Sequence, residues 1–126
     1  MEKIIAIDVG LKRIGVAYSP GGIAVVPLPA IIRKNRNQAA REVSELLKKY
    51  NANTLVIGIP KTNEEMSKRI KHFSNLIDFD GKKVYVDESY TSAIVEEEIK
   101  GKIKYKRDGR IDSLAAQKIL ENYLAK

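Results

Sequence analysis

Residues 3–19 read KIIAIDVGLKRIGVAYS, and this stretch decides the fold. Residues 3–8 are a β-branched run that stops at Asp8-Val9-Gly10. The basic pair Lys12-Arg13 follows, and residues 14–19 make a second strand-like run. Two such runs joined by so few residues predict a hairpin. Pro20-Gly21-Gly22 signals a turn, and residues 23–26 predict a third short strand that Pro27 ends. The chain thus opens as an antiparallel meander.

Beyond the meander the apolar period changes. After Asn37, a candidate N-cap, Ala40, Val43, Leu46, Leu47 and Tyr50 recur at helical spacing, with Lys48 and Lys49 in the last turn. Residues 54–58, TLVIG, predict a short apolar strand of the buried parallel kind. Thr62 and Glu65 have capping-box spacing and open a helix whose stripe is Met66, Ile70, Phe73 and Ile77. After Gly81, residues 83–87 (KVYVD) predict a fifth strand. Thr91 or Ser92 caps a helix through Ile94, Val95 and Ile99, and a last helix begins near Ile111 with Ala115, Ala116, Ile119 and Tyr123 on one face. The order β-β-β-α-β-α-β-α-α predicts an α/β fold. Its mixed five-stranded sheet has three antiparallel strands and then parallel crossovers, with helices on both faces. With no repeat or linker, one domain over residues 1–126 is expected.

Composition narrows the function classes. At 126 residues, with 44% hydrophobic and 31% charged, the chain can bury a core and does not resemble a disordered tail. No apolar run approaches the roughly 20 residues of a membrane helix. The longest, residues 22–32, is broken by Pro27 and Pro29. The N-terminus lacks a signal-peptide pattern and Cys is absent, so a cytoplasmic protein without membrane partners is expected. Zero Cys excludes disulfides, thiolate zinc sites and a Cys nucleophile. A single His, His72, provides no His pair for a metal and a poor start for a Ser-His-Asp triad. The 23 Lys+Arg against 16 Asp+Glu give a net charge of +7, which points to a polyanion such as nucleic acid, although plain solubility explains it equally well.

The acids carry the chemistry. Asp8 ends the first strand, Asp87 and Glu88 end the fifth, and Asp112 begins the last helix. Sites in open α/β sheets gather at the carboxyl ends of strands, so these acids can converge. Asp112 also falls on the stripe of Ala115, Ala116 and Ile119, where a carboxylate is costly unless paired or metal-bound. Carboxylates gathered without His repel one another unless hard cations neutralise them, and oxygen-only sites suit Mg²⁺ or Mn²⁺. Two such ions about 3.5–4 Å apart serve in-line phosphoryl displacement. Each acid also has a structural reading: Asp8 as a turn residue, Asp87-Glu88 as a solvated strand end, and Asp112 as an N-cap. Basic residues flank the acids: Lys12 and Arg13 in the first turn, and Lys102, Lys104, Lys106, Arg107 and Arg110 in KGKIKYKRDGR over residues 100–110. They are candidates for gripping nucleic-acid phosphates. A second cluster, Arg33, Lys34, Arg36 and Arg41, reads as a solvated helix approach with long-range steering.

These residues resemble the YqgF family. The resemblance rests on Asp8-Val-Gly-Leu-Lys-Arg-Ile-Gly-Val-Ala17, Gly58-Ile-Pro60, Glu65-Met-Ser67 with Arg69, Val86-Asp-Glu88, and Asp112-Ser-Leu-Ala-Ala116 with Ile-Leu-Glu-Asn-Tyr-Leu124. It spans nearly the whole chain. It implies an RNase H-like fold and a nuclease named for either pre-16S rRNA or Holliday junctions. It places Asp8, Glu88 and Asp112 at the acidic metal-binding triad; Asp87, at the end of the fifth strand, is a further candidate ligand from its position alone. Two departures stand out: Ser89 where Arg is usual, and a shortened loop at Lys61-Thr-Asn-Glu64. The expected activity is divalent-metal-dependent cleavage of structured nucleic acid, at the 5′ end of precursor rRNA, by a monomer or homodimer. A junction-resolving dimer acting on branched DNA and a non-catalytic ribosome-assembly binder are the alternatives. An actin-like ATPase, which shares the Asp-x-Gly start, needs two such domains.

Overall fold

The computed structural model describes residues 2–87 and 110–125, with residues 110–112 described by backbone alone. Among the described residues eight elements follow in order: β1 (Ile4–Val9), β2 (Arg13–Ser19), β3 (Val26–Ile32), α1 (Arg36–Lys49), β4 (Thr54–Ile59), α2 (Glu64–Asn75), β5 (Lys82–Asp87) and α3 (Arg110–Leu124). The five strands form one sheet in the order β3-β2-β1-β4-β5. β2 lies antiparallel to β1 and β3, and β4 lies parallel to β1 and β5. The mixed sheet expected from the sequence is therefore present. The helix expected from residue 91 or 92 through 99 lies outside the described residues.

Side-chain alternation divides the sheet into two apolar faces. Ile5, Ile7, Val9, Ile14, Val16, Leu55, Ile57 and Ile59 face α1 and α2, meeting Ala39, Val43, Leu47, Ile70 and Phe73. Ile4, Ala6, Ala17, Val56 and Val86 face the other way and pack against Ala116, Ile119 and Leu120 of α3. Small residues on both sides of that second interface let α3 settle close to the sheet. Among the described residues no helix is long and apolar enough to cross a membrane.

The third strand starts later than its expected range and runs through both prolines. Ile23 is 92% exposed and precedes the strand. β3 is an edge strand, one row of its N–H groups faces outward, and a proline in that row forfeits no ladder bond. Pairing runs Ile14 with Ile31 and then Val16 with Leu28. Gly15 of β2 therefore faces both Pro29 and Ala30, a β-bulge that absorbs the second proline.

Both expected helix caps shift by one or two residues. The N-cap of α1 is Asn35, whose Oδ1 accepts the Gln38 N–H at 2.7 Å while the Gln38 side chain accepts from the Asn35 N–H. Asn63, not Thr62, caps α2, accepting the Met66 N–H at 3.1 Å. Asn35→Ala should cost about 1 kcal/mol of folding stability, read as a lowered urea midpoint at unchanged m-value. An unchanged midpoint would show that the box at Asn35 contributes nothing.

Candidate active site

Asp8 is the penultimate residue of β1. Its neighbours Ile7 and Val9 point toward α1 and α2, so alternation turns Asp8 to the face that α3 covers. Opposite it on β2 stands Gly15. On β4, the residue after Ile57, the partner of Ile7, is Gly58. Asp8 is thus flanked on both neighbouring strands by residues without side chains. On the α3 face no side chain of Gly15 or Gly58 flanks this half-buried carboxylate at the carboxyl end of the central strand.

The tight turn after Asp8 requires glycine. The Gly10 N–H donates to the Arg13 carbonyl at 3.0 Å, and a Cβ at Gly10 would stand 2.5 Å from that oxygen. The turn displays Lys12 fully and Arg13 partly. Arg33 ties the turn down. Its backbone N–H donates to the Lys12 carbonyl at 2.9 Å, its Nη1 donates to the Gly10 carbonyl at 2.9 Å, and its guanidinium lies 5.3 Å from the centre of the Phe73 ring. Sequence reading assigned Arg33 to solvated steering, whereas the structure gives it a fixed place. The signal available was its position directly after a strand and before a capped helix. Arg69, paired with Glu65 at 2.9 Å, reaches the same small cleft beside Gly10 and Leu11.

α3 brings Asp112 to the Asp8 side. Asp112 has helical backbone one residue before Ser113, and Ser113, Ala115, Ala116, Ile119 and Leu120 form the buried stripe. Asp112 directly precedes Ser113, whose Oγ holds the Val16 N–H beside Gly15, so its backbone stands at the Asp8 end of the sheet. A place within the helical backbone removes the N-cap reading of this residue.

Asp87 goes elsewhere. It pairs with Ile59, which faces α1 and α2, and its Oδ1 lies 3.5 Å from the Lys61 N–H. Asp87 is therefore on the opposite face of the sheet from Asp8. Glu88, Lys102, Lys104, Lys106 and Arg107 lie outside the described residues, as does the side chain of Arg110. Among the described residues no group of three or more His, Cys, Asp or Glu side chains stands together. His72 is exposed on α2. A cleft of about 730 Å³ runs between β3 and α1 and contains none of the candidate acids. Tyr123, at the opposite end of the sheet, has its phenol pushed up by burial and then by the charge and hydrogen bond of Glu2.

A divalent cation fits what is described. The donors available are carboxylate oxygens, Asp8 is only half-buried, and glycines clear both its flanks.

The sequence profile of the family described as "RuvX: Holliday junction resolvase" matches residues 2–126. The chain belongs to the RuvX family. This is the family resembled at the sequence level under the name YqgF. A Sulfurimonas denitrificans protein named "Putative pre-16S rRNA nuclease" is 50% identical over 125 residues, covering 97% of this chain and 96% of its own. A Campylobacter lari protein of the same name is 48% identical, covering 96% of each. Two solved structures share the RNase H-like fold with this RuvX-family chain. The fowlpox virus Holliday junction resolvase superposes with a TM-score of 0.57 at 14% identity, covering 98% of each chain. Thermus thermophilus RuvC gives 0.52 at 10% identity, covering 98% of this chain and 94% of that one.

Proposed function

We propose that residues 1–126 form a single metal-dependent nuclease domain that works in the cytoplasm and hydrolyses phosphodiester bonds at the 5′ end of pre-16S rRNA. The observation that carries this reading is Asp8, cleared on both sides by glycine, on the sheet face where α3 brings Asp112. Membership of a nuclease family supports it.

Asp8, Glu88 and Asp112 would hold one or two Mg²⁺ or Mn²⁺ ions. When bound, such ions supply hydroxide at neutral pH and neutralise charge on the phosphate. The chain's own residues do the rest. Lys12 and Arg13 lie at the end of β1 nearest Asp8 and steer the nucleic-acid backbone toward it. Arg33 keeps their turn in one shape, so the phosphate contacts need little reordering on binding.

Branched DNA is the second reading, favoured by the family's own description. The test is cleavage of a pre-16S 5′-end RNA and a four-way DNA junction side by side, with Mn²⁺, with Mg²⁺ and with EDTA. Metal-dependent cleavage of the RNA supports the proposal. Cleavage of the junction alone selects the resolvase, and EDTA-insensitive binding without cleavage of either selects a binding module. Binding should weaken linearly on a log–log salt plot, with a slope near −0.9 per phosphate neutralised on duplex DNA and about −0.7 on single strands. Lys12→Ala should make that slope shallower by about 1, measured by fluorescence anisotropy. A slope identical to wild type would remove Lys12 from the interface.

A further inference from the structure

Ser113 has no exposed surface, and its hydroxyl bridges two strands. Oγ accepts the Val16 N–H at 3.0 Å and donates to the Leu28 carbonyl. Val16 and Leu28 are partners at one end of the bulge where Gly15 faces Pro29 and Ala30. A buried helical serine commonly returns its hydroxyl to a carbonyl one turn back, as Ser44 does to Ala40 at 2.8 Å. Ser113 instead reaches off its helix and fastens it to the sheet where the ladder slips.

The position of that fastening matters. Asp8 faces Gly15, Val16 follows Gly15, the Val16 N–H is held by Ser113, and Ser113 is bonded to Asp112. Consecutive Cα atoms are about 3.8 Å apart, so no loop intervenes between the anchor and the acid. Apolar packing of Ala116, Ile119 and Leu120 on Ala6 and Ala17 would hold α3 near the sheet, but it is non-directional and tolerates sliding and rotation. A pair of hydrogen bonds does not.

We propose that Ser113 is a positioning residue: its hydroxyl pins the first turn of α3 to the β2–β3 bulge and fixes Asp112 relative to Asp8 for binding a divalent cation. This rests on the reading of Asp8 and Asp112 as cation ligands.

Calorimetric titration of Mn²⁺ into the full chain tests it without recourse to activity. Ser44 supplies a matched control. It is also buried, and its hydroxyl also joins two backbone groups, donating to Ala40 and accepting the Asp78 N–H at 2.9 Å, but on the face away from Asp8. Ser113→Ala should weaken Mn²⁺ binding about 10- to 100-fold, as loss of groups that orient metal ligands does, while Ser44→Ala stays within about twofold of wild type. Ser113→Thr, which keeps a hydroxyl, should recover most of the affinity and remains informative if Ser113→Ala fails to fold. Equal weakening by Ser113→Ala and Ser44→Ala, or by Ser113→Thr and Ser113→Ala, overturns the positioning role while leaving the metal site intact. Absence of Mn²⁺ binding by wild type is a separate result. It overturns the cation reading, and the role of Ser113 with it.

Discussion

Asp8→Asn should abolish metal-dependent cleavage, lowering kcat/KM on the order of 10³-fold while leaving the melting temperature close to wild type. The substitution keeps the shape of the side chain and removes its charge, so it discriminates between a structural acid and a cation ligand. Asp8 contributes its backbone to the ladder between β1 and β2, which the change does not touch. An amide oxygen is a far weaker partner for Mg²⁺ or Mn²⁺ than a carboxylate, and neither Gly15 nor Gly58 has a side chain to replace it. The comparison that sharpens the test is Asp87→Asn. Asp87 carries the same charge but faces α1 and α2 beside Lys61. Its loss should change kcat/KM by less than about tenfold, a long-range charge effect only. Equal losses for the two variants would mean that sheet parity does not select the catalytic acid, and full activity of Asp8→Asn would remove the site altogether.

Phe73→Ala should be the most damaging single change to stability, costing about 3–5 kcal/mol. The ring is 2% exposed and belongs to the core between α1, α2 and the sheet. For a domain of this size the loss lowers the melting temperature by roughly 10–20 °C. Phe73 also lies beneath the Arg33 guanidinium, which holds the Lys12-Arg13 turn. Phe73→Leu separates these roles. It keeps most of the volume, so its stability cost should stay near 1 kcal/mol. It removes the aromatic face, so nucleic-acid affinity should fall further than stability predicts. Thermal melts and anisotropy on the same samples decide it. Undiminished affinity in Phe73→Leu would mean that the ring does not hold Arg33 in place.

What could be read from the sequence follows from how local each signal is. The hairpin of residues 3–19, the TLVIG strand and the Met66-Ile70-Phe73 stripe depend on alternation or helical period within one segment, and all three are present. The third strand was misplaced because the meaning of a proline depends on whether its strand has one neighbour or two, a tertiary fact. Both caps shifted because Asn35, Asn37, Thr62 and Asn63 are all competent, and which one is used depends on where the helix enters the core. For the site, Asp8 follows from strand alternation. Asp87 parts from Asp8 because Val86 faces α3, which turns Asp87 to the opposite face of the sheet, and that depends on the register of β5. Ser113 was missed. The available signal was a serine on an otherwise apolar stripe, next to a candidate acid.

The anchor at Ser113 joins residues separated by 97 positions. During synthesis all five strands and both helices of one face emerge before α3 does. Until then Ile4, Ala6, Ala17 and Val56 lack their partners Ala116, Ile119 and Leu120. The helix that carries Asp112 can therefore dock only on a sheet whose strands have all been made. A growing chain is thereby kept without the α3 side of this layer until that helix has been made.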